Sequence, residues 1–199
     1  MEHIIEDSNR IYGRIRDDIF TNTGPLIVEL GCGKGAYTIN LAKLYPENNY
    51  IGVDIKGARL WVGAKEAEAA KLDNVRFVKM YIDHLPEYFL EGEIDEIWIT
   101  FPDPFHNKGD AKKRLTSPKF QALYKKVLRP GGKIHLKTDA RDLYAYTKEI
   151  IAELGHTLLE DTEDIYTDGQ PMGALLIQTD FEKRHLLAGR TISHLCWSL

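Results

Sequence analysis

The chain has 199 residues, 43% of them hydrophobic and 28% charged, the balance of one folded domain with a full core, which excludes a disordered chain. No apolar run approaches the ~20 residues of a membrane span, and the opening MEHIIEDSNR carries acids where a signal peptide would be apolar. A net charge of -4 excludes a generally polybasic nucleic-acid binder, yet residues 105–137 alone carry +9 and leave -13 for the remainder.

Residues 1–24 are expected as a short N-terminal helical segment ahead of a core over 25–199, the whole forming a single domain. Residues 25–30 are a short apolar run ending in glycines, the pattern of a buried parallel strand. Residues 37–44 continue as a helix with Ile39, Leu41 and Leu44 as its apolar positions and Pro46 just past its end. A second strand is expected over 50–54, a long alanine-rich helix over 57–72, a third strand over 75–80 and a fourth over 94–101. Residues 117–128 read as a helix stopped by Arg129-Pro130-Gly131-Gly132. A fifth strand over 133–138 and a helix over 143–154 follow. After a polar loop from about 162 to 173, strand-like stretches lie at 175–179 and 192–197. This alternation predicts an α/β fold, an open and mostly parallel sheet with helices on both faces and the late strands as an antiparallel C-terminal edge.

The turn after the first strand reads Glu29-Leu30-Gly31-Cys32-Gly33-Lys34-Gly35. Glycines there let the backbone turn sharply and approach a ligand where any Cβ would collide. Asp54 ends the second strand, where an acid can accept hydrogen bonds from ribose hydroxyls. A dinucleotide site would share much of this design, and glycines that merely shape a turn would share some of it. Glu29 tilts the choice, because a carboxylate beside the loop suits a cationic sulfonium with an α-amino group better than a pyrophosphate. S-adenosylmethionine is therefore the preferred ligand and NAD the second. Cys32 and Cys196 could form one bridge at most, so a reduced cytoplasmic protein is expected. The seven histidines form no paired metal-ligand pattern, and no metal is expected.

The fourth strand ends Thr100-Phe101-Pro102-Asp103-Pro104-Phe105. Ligands of open α/β sheets bind beyond the carboxyl ends of the strands, so Asp103 should face the same crevice as Glu29 and Asp54. The flanking prolines limit how far its carboxylate can wander. By itself Asp103 could simply begin a turn, and a lysine-rich stretch by itself is usually a solvated face. Together they place an acid near a cofactor beside Lys108, Lys112, Lys113 and Arg114, which would hold phosphates.

In order along the chain stand ELGCGKG (29–35), GVDIKGARLW (52–61), ITFPDPF (99–105), KKRLT (112–116), HLKTD (135–139) and TDFEKR (179–184). This series resembles the bacterial tRNA (guanine-N7-)-methyltransferase family, from about Pro25 to the C-terminus. The resemblance implies a Rossmann-like S-adenosylmethionine-dependent methyltransferase fold and methyl transfer to N7 of a guanine in the variable loop of tRNA. It places Glu29, Gly31, Gly33, Gly35, Asp54 and Asp103 at cofactor positions, with Asp103 also catalytic. Asp139, Thr179, Phe181 and Glu182 fall where the family contacts the target nucleotide.

Three departures stand out. The family's tryptophan after the aspartate-proline pair is Phe105, and His106 and Asn107 replace the following proline and a lysine. An acid common after the third strand is Tyr81, with Asp83 two residues on, so either of these would contact the cofactor. The segment before the first strand is short and acidic where relatives carry a longer basic arm. The other readings are a methyltransferase acting on an exocyclic amine of RNA, a non-catalytic RNA-binding module of the same fold, and an NAD enzyme.

Overall fold

The computed structural model describes residues 3–5, 12–13, 15–167 and 171–199. Eight strands form one sheet in the order β1-β4-β3-β2-β5-β6-β8-β7. They are β1 (Ile4–Ile5), β2 (Leu26–Leu30), β3 (Asn49–Asp54), β4 (Val75–Lys79), β5 (Ile94–Thr100), β6 (Leu128–Thr138), β7 (Thr157–Thr162) and β8 (Ser193–Ser198). Pairings from β1 through β6 are parallel, and β8 pairs antiparallel with both β6 and β7. The expected mostly parallel sheet with an antiparallel edge is therefore present.

Alternation along the inner strands sends side chains to two cores. Leu26, Val28 and Leu30 pack in one cluster with residues of α4 (Pro118–Tyr124) and α5 (Arg141–Glu153). Ile27 faces the other, with Tyr37, Ile39 and Leu41 of α1 (Ala36–Leu44) and Leu60, Ala64 and Ala67 of α2 (Gly57–Ala69). A one-turn helix, α3 (Leu85–Tyr88), adds Leu85 and Tyr88 to the first cluster. Strand order reverses at β2, which has β3 on one side and β5 on the other. That reversal opens a crevice beyond the carboxyl ends of β2 and β5, where the glycine turn and the Asp103 turn emerge.

Several elements differ from expectation. Residues 175–179 are not a strand. Gly173–Leu176 is a 3-10 turn, and the carbonyls of Leu175 and Ile177 accept from Lys137 Nζ at 3.2 and 2.9 Å, so a side chain rather than a neighbouring strand satisfies them. The outer edge strand is β7, whose side chains are nearly all exposed and whose sequence TLLEDT shows no alternation. A further helix, α6 (Asp180–Leu187), also lacks an apolar stripe. Its signal was the Thr179-x-x-Glu182 start, and Thr179 Oγ1 does accept from the Glu182 N–H. Helix α4 stops at Tyr124 because Leu128 already pairs with Ile94, leaving Pro130 and Gly131 in an irregularity within β6.

Ahead of β2, β1 extends the sheet beside β4 and Ile15–Ile19 form a helical turn, with Ile5, Ile15 and Phe20 buried. Residues 1–2, 6–11 and 14 of the expected helical segment, and 168–170 of the expected polar loop, lie outside the described residues.

Candidate active site

The glycine turn is built between β2 and α1. The N–H groups of Gly31 and Cys32 both donate to the Val53 carbonyl, at 2.8 and 2.9 Å, fastening the turn to β3. Gly31, Gly33 and Gly35 have φ of +75, +59 and +73°, a region where a side chain is strained. Their surroundings separate them. A Cβ on Gly35 would lie 2.3 Å from the Phe77 ring, whereas one on Gly31 or Gly33 would meet nothing within 4 Å. Gly35 is thus a packing requirement, and Gly31 and Gly33 leave the backbone bare toward the crevice.

Glu29 is buried, and both its carboxylate oxygens are engaged. Oε1 accepts from Thr100 Oγ1 at 2.6 Å, and Oε2 accepts from the Thr38 N–H at 2.9 Å and from the Thr38 hydroxyl. The residue therefore ties β2 to α1 and to the end of β5. Burial pushes its carboxyl up to about 7, against the opposing hydrogen bonds from Thr100 and Thr38. A cation brought to the crevice would favour its ionised form. Asp54 closes β3, with Oδ2 accepting from Gly33 N–H at 3.0 Å and Oδ1 from Lys56 N–H at 2.8 Å. Next to it a cleft of about 260 Å³ is lined by Ile55, Met80, Tyr81, His84 and Tyr88 among others.

At the end of β5, Phe101 and Phe105 have φ of +47 and +42°. Left-handed phenylalanines cost about 1–3 kcal/mol each and persist where the surroundings over-determine them, as at functional sites. Between them Asp103 stays exposed, its Oδ1 accepting from the Phe105 N–H at 3.1 Å. The turn has two outside supports. Arg114 donates from Nε to the Pro104 carbonyl and from Nη2 to the Phe105 carbonyl, both at 3.0 Å, while His106 Nδ1 lies 2.6 Å from Asp142 Oδ2 on α5.

The C-terminal motifs gather at the same place. Phe181 on α6 packs against Phe101 with ring centroids 5.1 Å apart, and against His185 at 3.9 Å. Asp139, just past β6, lies 2.6 Å from both His185 Nδ1 and Arg190 Nη1. Burial would raise its carboxyl, but Arg190 and His185 overcome this and hold it below the usual carboxylate range. Lys137 and Glu182 are fully buried, with Lys137 Nζ 2.8 Å from both Glu182 oxygens and Tyr166 donating its hydroxyl to Oε1 at 2.7 Å.

A family profile described as "Putative methyltransferase" matches residues 23–195. The tRNA (guanine-N(7)-)-methyltransferase of Porphyromonas gingivalis is 47% identical over 94% of this chain and 76% of its own length. That of Christiangramia forsetii is 40% identical over 98% and 87%. The chain belongs to the tRNA (guanine-N7-)-methyltransferase family. The crystal structure of the 16S rRNA methyltransferase KamB matches with a TM-score of 0.68 over 90% of each chain at 16% identity, a likeness of fold alone.

In this methyltransferase several side chains stand where sequence reasoning did not put them. Arg114, grouped with the phosphate-binding lysines, is only 7% exposed, and its guanidinium is spent on the Asp103 turn and on the Tyr146 ring, 4.3 Å away. Glu182, expected at the target nucleotide, is instead the acid of a buried ion pair, since an uncompensated Lys137 in that position would be far more costly. Asp83 is paired with Lys119 on the surface, so of the two candidates Tyr81 is the one that lines the cleft beside Asp54. Lys108, Lys112 and Lys113 remain exposed on the 3-10 segment Lys108–Lys113, which follows directly on the turn. Lys113 also pairs with Asp110 at 2.7 Å. Thr38, Tyr146, Tyr166 and Arg190 support the site without a local motif to announce them, and Thr100 does so from within the ITFPDPF stretch.

The bare backbone at Gly31 and Gly33, the acid at the end of β3 and the adjoining cleft fit S-adenosylmethionine. Gly35→Ala should lower stability by about 2–3 kcal/mol through strain and overlap with Phe77. Gly33→Ala should cost less stability but weaken S-adenosylmethionine binding at least ~10-fold, because the methyl projects toward the ligand. Thermal melts beside calorimetric titrations of the two variants distinguish them, and equal ligand affinity in Gly33→Ala and wild type would remove that glycine from the cofactor contact.

Proposed function

We propose that this enzyme transfers the methyl group of S-adenosylmethionine to N7 of a guanine in tRNA, at the variable loop. The observation that carries this reading is the strained Phe101–Phe105 turn. It presents an exposed carboxylate beside the switch-point crevice and leads straight into exposed lysines, in a chain 47% identical to a named tRNA (guanine-N(7)-)-methyltransferase. Bound S-adenosylmethionine supplies a methyl carbon made electrophilic by its sulfonium. Glu29, Gly31, Gly33, Asp54, Tyr81 and Asp103 are the residues we assign to holding it.

Guanine N7 carries a lone pair and no proton, so the enzyme needs no strong general base. As the N7–carbon bond forms the purine becomes cationic, and Asp103 would stabilise that charge while accepting hydrogens from guanine N1 and the 2-amino group. Adenine lacks those donors and would leave the carboxylate unpaired. Orientation supplies much of the remainder, since well-aligned reactants gain about 7–11 kcal/mol. Phe181, exposed in the first turn of α6, would meet a displaced base; Thr179 caps that end of the helix and Asp139 holds the other end through His185.

Lys108, Lys112 and Lys113 would hold phosphates. Reversing Lys112 and Lys113 to glutamate should raise the KM for tRNA about 10-fold near 0.1 M salt and lower the salt slope of binding by about 1.5, with kcat little changed. An unchanged slope would mean that these lysines only face solvent. Among the described residues no helix is long and apolar enough to cross a membrane, no side-chain group of three or more could hold a metal, and both cysteines are free and buried. We place the activity in the cytoplasm.

The direct test is transfer from labelled S-adenosylmethionine to unmodified bulk tRNA, followed by nucleoside analysis. A 7-methylguanosine peak is expected. A methylated exocyclic amine in its place, or tRNA binding without transfer, would overturn the reading.

A further inference from the structure

Arg114 closes the lysine-bearing segment Lys108–Lys113, yet it points inward. Its planar fork spans two successive carbonyls, Pro104 and Phe105, each at 3.0 Å, while its other face lies 4.3 Å from the Tyr146 ring of α5. A lysine ammonium has neither the fork nor the flat face, so it cannot reproduce this contact. Phe105 is the junction. Its N–H donates to the Asp103 carboxylate at 3.1 Å, its carbonyl is held by Arg114, and its φ of +42° is a conformation phenylalanine does not keep unaided. Relaxation of that residue would carry the Asp103 carboxylate away from the crevice.

We propose that Arg114 is the positioning residue for Asp103, acting through the Phe105 backbone and stiffened by Tyr146. This rests on the reading of Asp103 as the group that meets the target guanine. Arg114 binds no phosphate in this scheme.

The experiment compares wild type, R114K, R114A and Y146L in single-turnover methylation of tRNA, with tRNA affinity measured across a salt series. A displacement of about 1 Å in a catalytic group costs on the order of 100-fold. R114K should therefore lose about 10- to 100-fold in kcat, with tRNA affinity within about threefold of wild type and the salt slope unchanged. Y146L should show the same signature more weakly. Added guanidinium ion at millimolar concentration should restore part of the R114A activity, which a general loss of stability would not allow. If R114A fails to fold, R114K and Y146L still decide the matter.

R114K with wild-type kcat overturns the proposal. So does R114A whose loss lies in affinity, with a salt slope lowered by about one, since that is the mark of a phosphate contact. A wild-type enzyme that makes no 7-methylguanosine overturns the functional reading, and the role of Arg114 with it. A wild type that does make it, with R114K equal to it, removes Arg114 alone.

Discussion

Asp103→Ala should lower kcat by about 10²- to 10³-fold while the protein melts within a few degrees of wild type. The size of the loss follows from what the carboxylate does. In the proposed mechanism it faces a purine that gains a positive charge during the reaction, and no other acid lies on the Phe101–Phe105 turn. The fold should survive because Asp103 is exposed and its hydrogen bond is a local one from the Phe105 N–H. Asp103→Asn separates the two contributions. An asparagine oxygen can still accept from Phe105 but carries no charge, so a loss close to that of Asp103→Ala would assign the effect to electrostatics. Rapid-quench methylation under single-turnover conditions is the measurement, with calorimetry to confirm that S-adenosylmethionine still binds. Turnover near that of wild type in Asp103→Ala would end the catalytic assignment.

The largest effect on stability is expected at Lys137. Its ammonium is fully buried and meets both Glu182 oxygens and the carbonyls of Leu175 and Ile177. Burial pulls its pKa down and Glu182 partly restores it. Lys137→Met would leave the Glu182 carboxylate buried without a counter-charge, at a cost of about 3–5 kcal/mol. For a chain of this size that is a fall on the order of 10 °C in Tm. The double variant Lys137→Met/Glu182→Leu should recover part of the loss, because no charge is then stranded, though the Tyr166 hydroxyl and two carbonyls still lose their partner. Additive losses in the double variant would show that the pair is not coupled. Since Lys137 also anchors the chain leading into α6, the single variant should reduce tRNA methylation below its melting temperature as well.

Much of the fold was legible because its signals are local. A run such as LIVEL that ends in glycine reads as a buried strand wherever it lies, and prolines around Asp103 mark the end of β5 without help from other segments. The elements that escaped lack such signals. β7 is exposed nearly throughout and is a strand only because β8 offers it backbone partners, while the 173–177 segment looked like a strand until Lys137 took its carbonyls. The start of α6 was readable from Thr179 and Glu182 but was masked by the charged residues that follow.

The glycine turn was equally open to sequence reasoning, since Gly31, Gly33 and Gly35 all take the left-handed backbone that the turn requires. The charged residues were not. In one dimension Arg114, Lys137 and Glu182 are indistinguishable from Lys112 or Lys113, all set in polar, strongly charged motifs. Whether such a group faces solvent or is buried depends on partners far along the chain: Tyr146 for Arg114, and Glu182, 45 positions away, for Lys137. The sequence by itself determined most of the alternation of strands and helices from β2 to α5, the glycine turn and the place of Asp103, because periodicity, glycine and proline act on neighbouring residues. Only the tertiary structure decided which charges face solvent and which hold the site together, because the energy of a buried charge is set by what is packed around it.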